Sequence, residues 1–189
     1  MNNTLEIEIG YLIKNVYDLE ELKNNSTAYV RDVFKNKKEF ICMIKENSKK
    51  KFHSNNYIHN NILYMEGIFT IKYNYMPIIP IENWDYVPEL IAYFLNALEE
   101  CISERESEFS YPDQPINIKL KLDNQHIILA INNNTYKIEK NLFVKTFLKK
   151  AKMFFEIIRN ELGILSYDEE IKQIDNLYKQ YNLSSKNNH

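Results

Sequence analysis

Between Glu82 and Asp113 the chain carries nine carboxylates and a single base, Arg105. Glu99, Glu100, Glu104, Glu106, Glu108 and Asp113 crowd toward the end of that stretch, where the residue pattern closes a helix and opens a loop. The C-terminal end of a helix carries about half a negative charge, so anions there cost a few tenths of a kcal/mol. Helix stability therefore does not account for the cluster. One reading is a surface that steers and holds a cationic partner, the other ordinary solubilising charge; on the first, these six residues are the candidate binding residues.

Other chemistry is sparse. Glu99-Glu100 and Asp168-Glu169-Glu170 are neighbouring acids, but a glycosidase-type pair needs a sugar cleft. These acids fall on exposed helix positions or in a first helical turn, which favours anions. His53 and His59 stand six apart in a polar stretch, and His126 follows a turn; no further ligand stands at metal-binding spacing. Three glycines leave almost no room for a Gly-rich phosphate cradle. Cys42 and Cys101 lie far from any C-x-x-C pattern and read as reduced, small apolar groups. No metal or cofactor is expected, and no nucleophile motif such as G-x-S-x-G is present. An enzyme would need a site assembled only in space from distant residues.

From Lys23 to Lys51 there are nine Lys or Arg against three acids, including Lys35, Lys37, Lys38, Lys49, Lys50 and Lys51. With Phe52 and Tyr57 nearby, this 35–52 loop offers an alternative, a nucleic-acid-binding regulatory module using phosphate contacts and stacking. A solvated loop is the plainer reading, and the net charge of −2 argues against nonspecific nucleic-acid binding by the whole molecule.

The elements that must position these residues follow from periodicity. Leu5, Ile7, Ile9 and Tyr11 alternate with polar residues, which predicts a half-buried strand. Residues 18–23 suggest a helical turn, and a helix capped by Ser26 or Thr27 carries Val30, Val33 and Phe34. Phe40–Ile44 reads as a strand or as that helix continued, and 45–61 as a solvated connection. Ile62–Tyr73 is a strand, turned at Asn74-Tyr75 into Met76–Ile79 and stopped by Pro80. Trp84, Val87, Ile91, Phe94, Leu95, Leu98 and Ile102 recur at helical spacing from an N-cap at Asp85 to about Ser103. Residues 104–115 read as an acidic loop closed by Pro112 and Pro115. Three strands follow, around 116–122, 126–131 and 136–138, with turns at Asp123-Asn124 and at 132–134; connections this short make an antiparallel meander. Asn141 caps a long helix bearing Phe143, Phe147, Ala151, Phe154, Ile158 and Leu162 and closed by Gly163. Ser166 and Glu169 form a capping box for a last helix.

Trp84-Asp85 and Tyr111-Pro112-Asp113-Gln114-Pro115 resemble a group of small bacterial proteins that pair a W-D helix start with an aromatic-P-D-Q-P loop, a meander and a final aromatic helix. In style these are similar to immunity proteins that neutralise polymorphic toxins. The likeness spans roughly residues 62–162 and brings no catalytic residues with it. It implies a protein partner, with a basic toxin as the target of the acidic surface. Structurally, Trp84 is expected to anchor its helix to the sheet, and Asp113 to cap backbone amides in the stiffened loop.

The expectation is an α+β protein: an antiparallel β-sheet with helices packed on one face, forming a single domain over 1–183 with a disordered tail at 184–189. MNNTLEIEIG lacks a signal-peptide pattern, and no apolar run approaches the ~20 residues of a membrane span, so a cytoplasmic location is expected.

Overall fold

The computed structural model describes residues 3–12, 41–43, 57–59 and 62–186. Alternation at the start of the chain produces β1 (Leu5–Leu12), flanked by β2 (Ile41–Met43) and by β5 (Glu66–Tyr73). Register sets Ile7 opposite Ile71 and Ile9 opposite Phe69, which gathers four large buried side chains on one face. β6 (Met76–Ile79) and β7 (Asp85–Tyr86) both pair with β5, giving the order β2-β1-β5-β6 with β7 beside it. β3 (Tyr57–His59) and β4 (Ile62–Tyr64) make a separate hairpin. Gly67 lies opposite Tyr11; a Cβ there would sit 2.1 Å from the Gly10 carbonyl oxygen and 2.8 Å from Val87 Cγ2, so only glycine lets β1, β5 and the following helix close up.

That helix, α1 (Val87–Glu104), holds Pro88 in its first turn and buries nine residues, among them Leu90, Phe94, Leu98 and Cys101. It runs into a second antiparallel sheet, β8 (Glu106–Ser110), β9 (Asn117–Asp123), β10 (His126–Ile131) and β11 (Asn134–Glu139), in the order β11-β10-β9-β8. α2 (Lys140–Leu162) and α3 (Asp168–Lys186) follow, with Gly163 in the left-handed conformation (φ 67°) and its amide bonded to the Arg159 carbonyl. α1 touches both sheets, α2 crosses both, and α3 packs on α2 and α1. Phe94 marks the junction. Its ring centroid lies 5.0 Å from Phe69 of the first sheet, 4.7 Å from Phe109 of the second and 5.9 Å from Phe147 of α2.

The chain is thus α+β with antiparallel sheets and helices on their apolar faces, as its periodicity predicts. Its strands divide into two main sheets, joined by α1, where one sheet was expected. The Asn74-Tyr75 turn forms with both residues at positive φ (50° and 67°), pinned by the Asn74 amide to the Thr4 carbonyl. Residues 106–110, expected within a loop, are a strand. Their alternation was hidden because Ser107 takes an inward position, with its hydroxyl donating to the Ala97 carbonyl at 2.6 Å. The 62–73 strand breaks at Met65, whose carbonyl accepts the Val87 amide. Tyr57–His59, expected in a solvated connection, pairs with β4.

Two caps differ from expectation. Asp85 sits in β7 and Tyr86 occupies the N-cap of α1. Asn141 lies inside α2, because β11 runs straight into the helix, and its Oδ1 accepts the Tyr181 hydroxyl instead. Glu169 pairs with Lys172, and the last helix continues through Lys186, into the expected tail. The helices expected over 18–34 and the basic positions of the 35–52 loop lie outside the described residues, apart from 41–43. Among the described residues no helix is long and apolar enough to cross a membrane.

Two stability measurements check this account. Phe94→Ala is expected to cost about 3–5 kcal/mol in urea unfolding, since its ring is shared by both sheets and α2; a loss under about 1 kcal/mol would contradict the junction. Tyr75→Gly is expected to stabilise by about 1 kcal/mol, because Tyr75 is 80% exposed and glycine relieves its positive φ.

Candidate binding surface

The end of α1 is set by Arg105, a left-handed C-cap (φ 73°) in the place where glycine is usual. Its carbonyl accepts the Leu122 amide at 2.7 Å and its guanidinium donates to the Leu122 carbonyl at 3.2 Å. The one base among the acids is therefore turned against β9. The turn drops the chain directly into β8, the edge strand of the second sheet.

Four of the six candidate acids meet at this junction. Glu100 and Glu104 are exposed on the last turns of α1, and Glu106 and Glu108 are exposed on the outer face of β8. Glu100, Glu106 and Glu108 line one cavity of about 460 Å³ with Lys119 and Lys121 of β9 and Ile128 of β10. The other two acids leave the group. Glu99 is half-buried and accepts from the Gln173 side chain of α3 at 2.5 Å. Asp113 is exposed near the opposite end of α1, roughly 27 Å away at 1.5 Å per helical residue.

The strand register also pairs some of the charge. Glu108 faces Lys119 and Glu106 faces Lys121. Glu108 and Lys119 form an ion pair at 2.6 Å, which holds the Lys119 ammonium above its ordinary value through a hydrogen bond and direct attraction. Both partners are exposed, so the pair is worth little to stability. Glu100, Glu104 and Glu106 have no ion pair among the described residues and remain the free acids of the surface.

The second feature is a buried acid–tyrosine cluster at the start of α1, where the two motif segments meet. Asp85 accepts the Tyr86 amide at 2.6 Å and the Asp113 amide at 3.1 Å, and the Gln114 side chain donates to the Trp84 carbonyl. The expected roles are exchanged: Asp85 receives the amides of the Pro-rich loop, whereas Asp113 supplies one. Trp84 is half-buried and ties its helix to that loop through its backbone. Burial raises the Asp85 carboxyl, partly offset by these amides. Glu89 and Glu170, third residues of α1 and α3, are raised for the same reason, with a bond to their own amides opposing. The buried Tyr111 hydroxyl has no partner among the described residues, and the Tyr167 hydroxyl accepts the Leu63 amide at 3.2 Å.

These groups have titratable chemistry, but their positions are those of helix-start acids and a loop clasp. Among the described residues no cluster of His, Cys, Asp and Glu could hold a metal ion. Cys101 is free and buried, its thiol pushed up to about 11 chiefly by burial, so it is no nucleophile. His126 lies on β10 beside Asp123. The sequence did not reveal Arg105, Lys119 and Lys121 as parts of the surface, because their roles depend on β8 being a strand. Comparison with family models, curated proteins and solved structures finds no match for this chain.

Buried Asp85 and half-buried Glu89 and Glu170 give a pH signature. Their folded pKa values are raised, so their contribution to stability is full below the unfolded values of 3.8 (Asp85) and 4.5 (Glu89, Glu170) and is lost as pH rises through the folded ones. Glu89→Gln with Glu170→Gln is expected to raise Tm at pH 7 and to flatten the fall in stability between pH 4.5 and 7; an unchanged slope would contradict it. Asp85→Ala is expected to cost about 2–3 kcal/mol at neutral pH, read by urea unfolding, because it strands two amides.

Proposed function

We propose that this chain is a protein-binding protein that holds a cationic partner at the junction of α1 and β8, in the manner of an immunity protein blocking a basic toxin. One observation carries the reading. Glu100, Glu104 and Glu106 are exposed and make no ion pair among the described residues; Arg105 between them is turned to a backbone carbonyl, and Lys121 faces Glu106 across the strands without closing an ion pair. The fold gains little from them: Glu100 and Glu104 sit at the unfavourable end of the α1 dipole, and Glu106 lies on an exposed strand face. Charge gathered at structural cost steers opposite charge and favours fast, salt-sensitive association. A nuclease whose groove is built for phosphate fits this chemistry, because carboxylates occupy such grooves as phosphate surrogates.

The test begins with affinity capture of the partner from the native cell. The recovered protein is expected to be basic. Its affinity should fall about tenfold or more between roughly 50 and 300 mM salt. Glu100→Lys, Glu104→Lys and Glu106→Lys together should weaken it by about a hundredfold, mostly through slower association and without loss of Tm. A captured partner whose affinity is indifferent to the triple reversal would refute the reading.

A further inference from the structure

β8 ends its sheet, and no described strand pairs with its outer side. The direction of its backbone groups follows from its bonds. The Arg105 carbonyl accepts from Leu122 and the Tyr111 amide donates to the Ile116 carbonyl. In an antiparallel ladder the groups of successive residues alternate in direction. Ser107 and Phe109 therefore face β9 with Arg105 and Tyr111, while the N–H and C=O groups of Glu106, Glu108 and Ser110 point away from the sheet.

Two of the three residues that offer free backbone groups, Glu106 and Glu108, thus also carry exposed carboxylates. In a hydrogen-bonded antiparallel pair, the residue directly opposite projects its side chain on the same face, within about 5.5 Å. A strand added here would set its side chains against Glu106 and Glu108, beside the 460 Å³ cavity that Glu100 also lines.

Charge selects the occupant. A second copy pairing its own β8 about a two-fold axis puts Glu108 against Glu108, or Glu106 against Glu108, and like charges facing each other oppose pairing. A strand with lysine or arginine at alternate positions meets no such penalty. We propose that the cationic partner docks by strand addition, laying an extended segment with basic residues at alternate positions antiparallel along the outer edge of β8. This rests on the acidic-surface reading above and specifies its geometry.

Three peptides decide it: an acetylated, amidated heptapeptide alternating valine and lysine, the same peptide N-methylated at its lysine amides, and the same peptide N-methylated at its valine amides. Lysines opposite Glu106 and Glu108 are the residues whose amides face β8, whereas the valine amides face outward. All three peptides keep the same charge. Titrated by fluorescence anisotropy against the intact chain, the unmodified and valine-methylated peptides are expected to bind alike, and the lysine-methylated peptide at least tenfold more weakly. Equal binding of all three would overturn strand addition and leave charge attraction standing, as would equal weakening by either methylation. No binding of the unmodified peptide at millimolar concentration also overturns strand addition. If Glu100→Lys with Glu106→Lys leaves peptide affinity unchanged, the acidic surface itself is wrong.

Discussion

Phe94 contacts Phe69, Phe109 and Phe147, and those three rings belong to the first sheet, the second sheet and α2. Edge-to-face and tilted contacts of this kind are worth about 0.5–1.5 kcal/mol each beyond the area they bury. Their larger effect is geometric. Close-packed rings fix α1 in rotation and in height against both sheets, and packed interiors do not deform continuously. With α1 fixed, so are its two ends. At one end Asp85 clasps the 111–114 loop through backbone amides. At the other, Arg105 turns the chain into β8 and bonds to both backbone groups of Leu122. The edge strand is held at both of its ends by α1.

That arrangement gives the acidic surface its character. Carboxylates on a mobile loop would lose entropy on binding; on a strand bonded to its neighbour and backed by α1 they are preorganised. The lysines of β9 narrow the surface: Lys119 is committed to Glu108 and Lys121 faces Glu106, while Glu100, Glu104 and Glu106 make no ion pair among the described residues. Negative charge on an edge strand is also a familiar guard against self-association. The proposed docking is compatible with that guard, because a charge that repels a second copy attracts a basic strand.

The elements with strong periodicity were legible in the sequence. β1, α1 and α2 carry apolar residues at spacings that leave one arrangement, and Gly163 marked the end of α2. What was hidden depended on tertiary satisfaction of polar groups. Ser107 fills an apolar position because Ala97 offers it a carbonyl. Arg105 takes the left-handed cap because Leu122 receives its guanidinium. Asp85 looked like an N-cap because its type is right, yet it accepts the adjacent Tyr86 amide and, from 28 residues away, that of Asp113. For the candidate surface, composition located the acids, but only the fold separates Glu100, Glu104, Glu106 and Glu108 from Glu99, which turns to Gln173, and from Asp113, which lies at the far end of α1.

The most direct test of the account is residue-resolved amide hydrogen exchange, free and with the captured partner bound. In the free chain the amides of Glu106, Glu108 and Ser110 should exchange rapidly while those of Ser107 and Phe109 are protected, because only the latter pair with β9. On binding, the three outward amides should become protected and the inward pair remain as they were. If the partner binds and the amides of Glu106, Glu108 and Ser110 exchange as fast as before, the edge of β8 is not where the partner pairs.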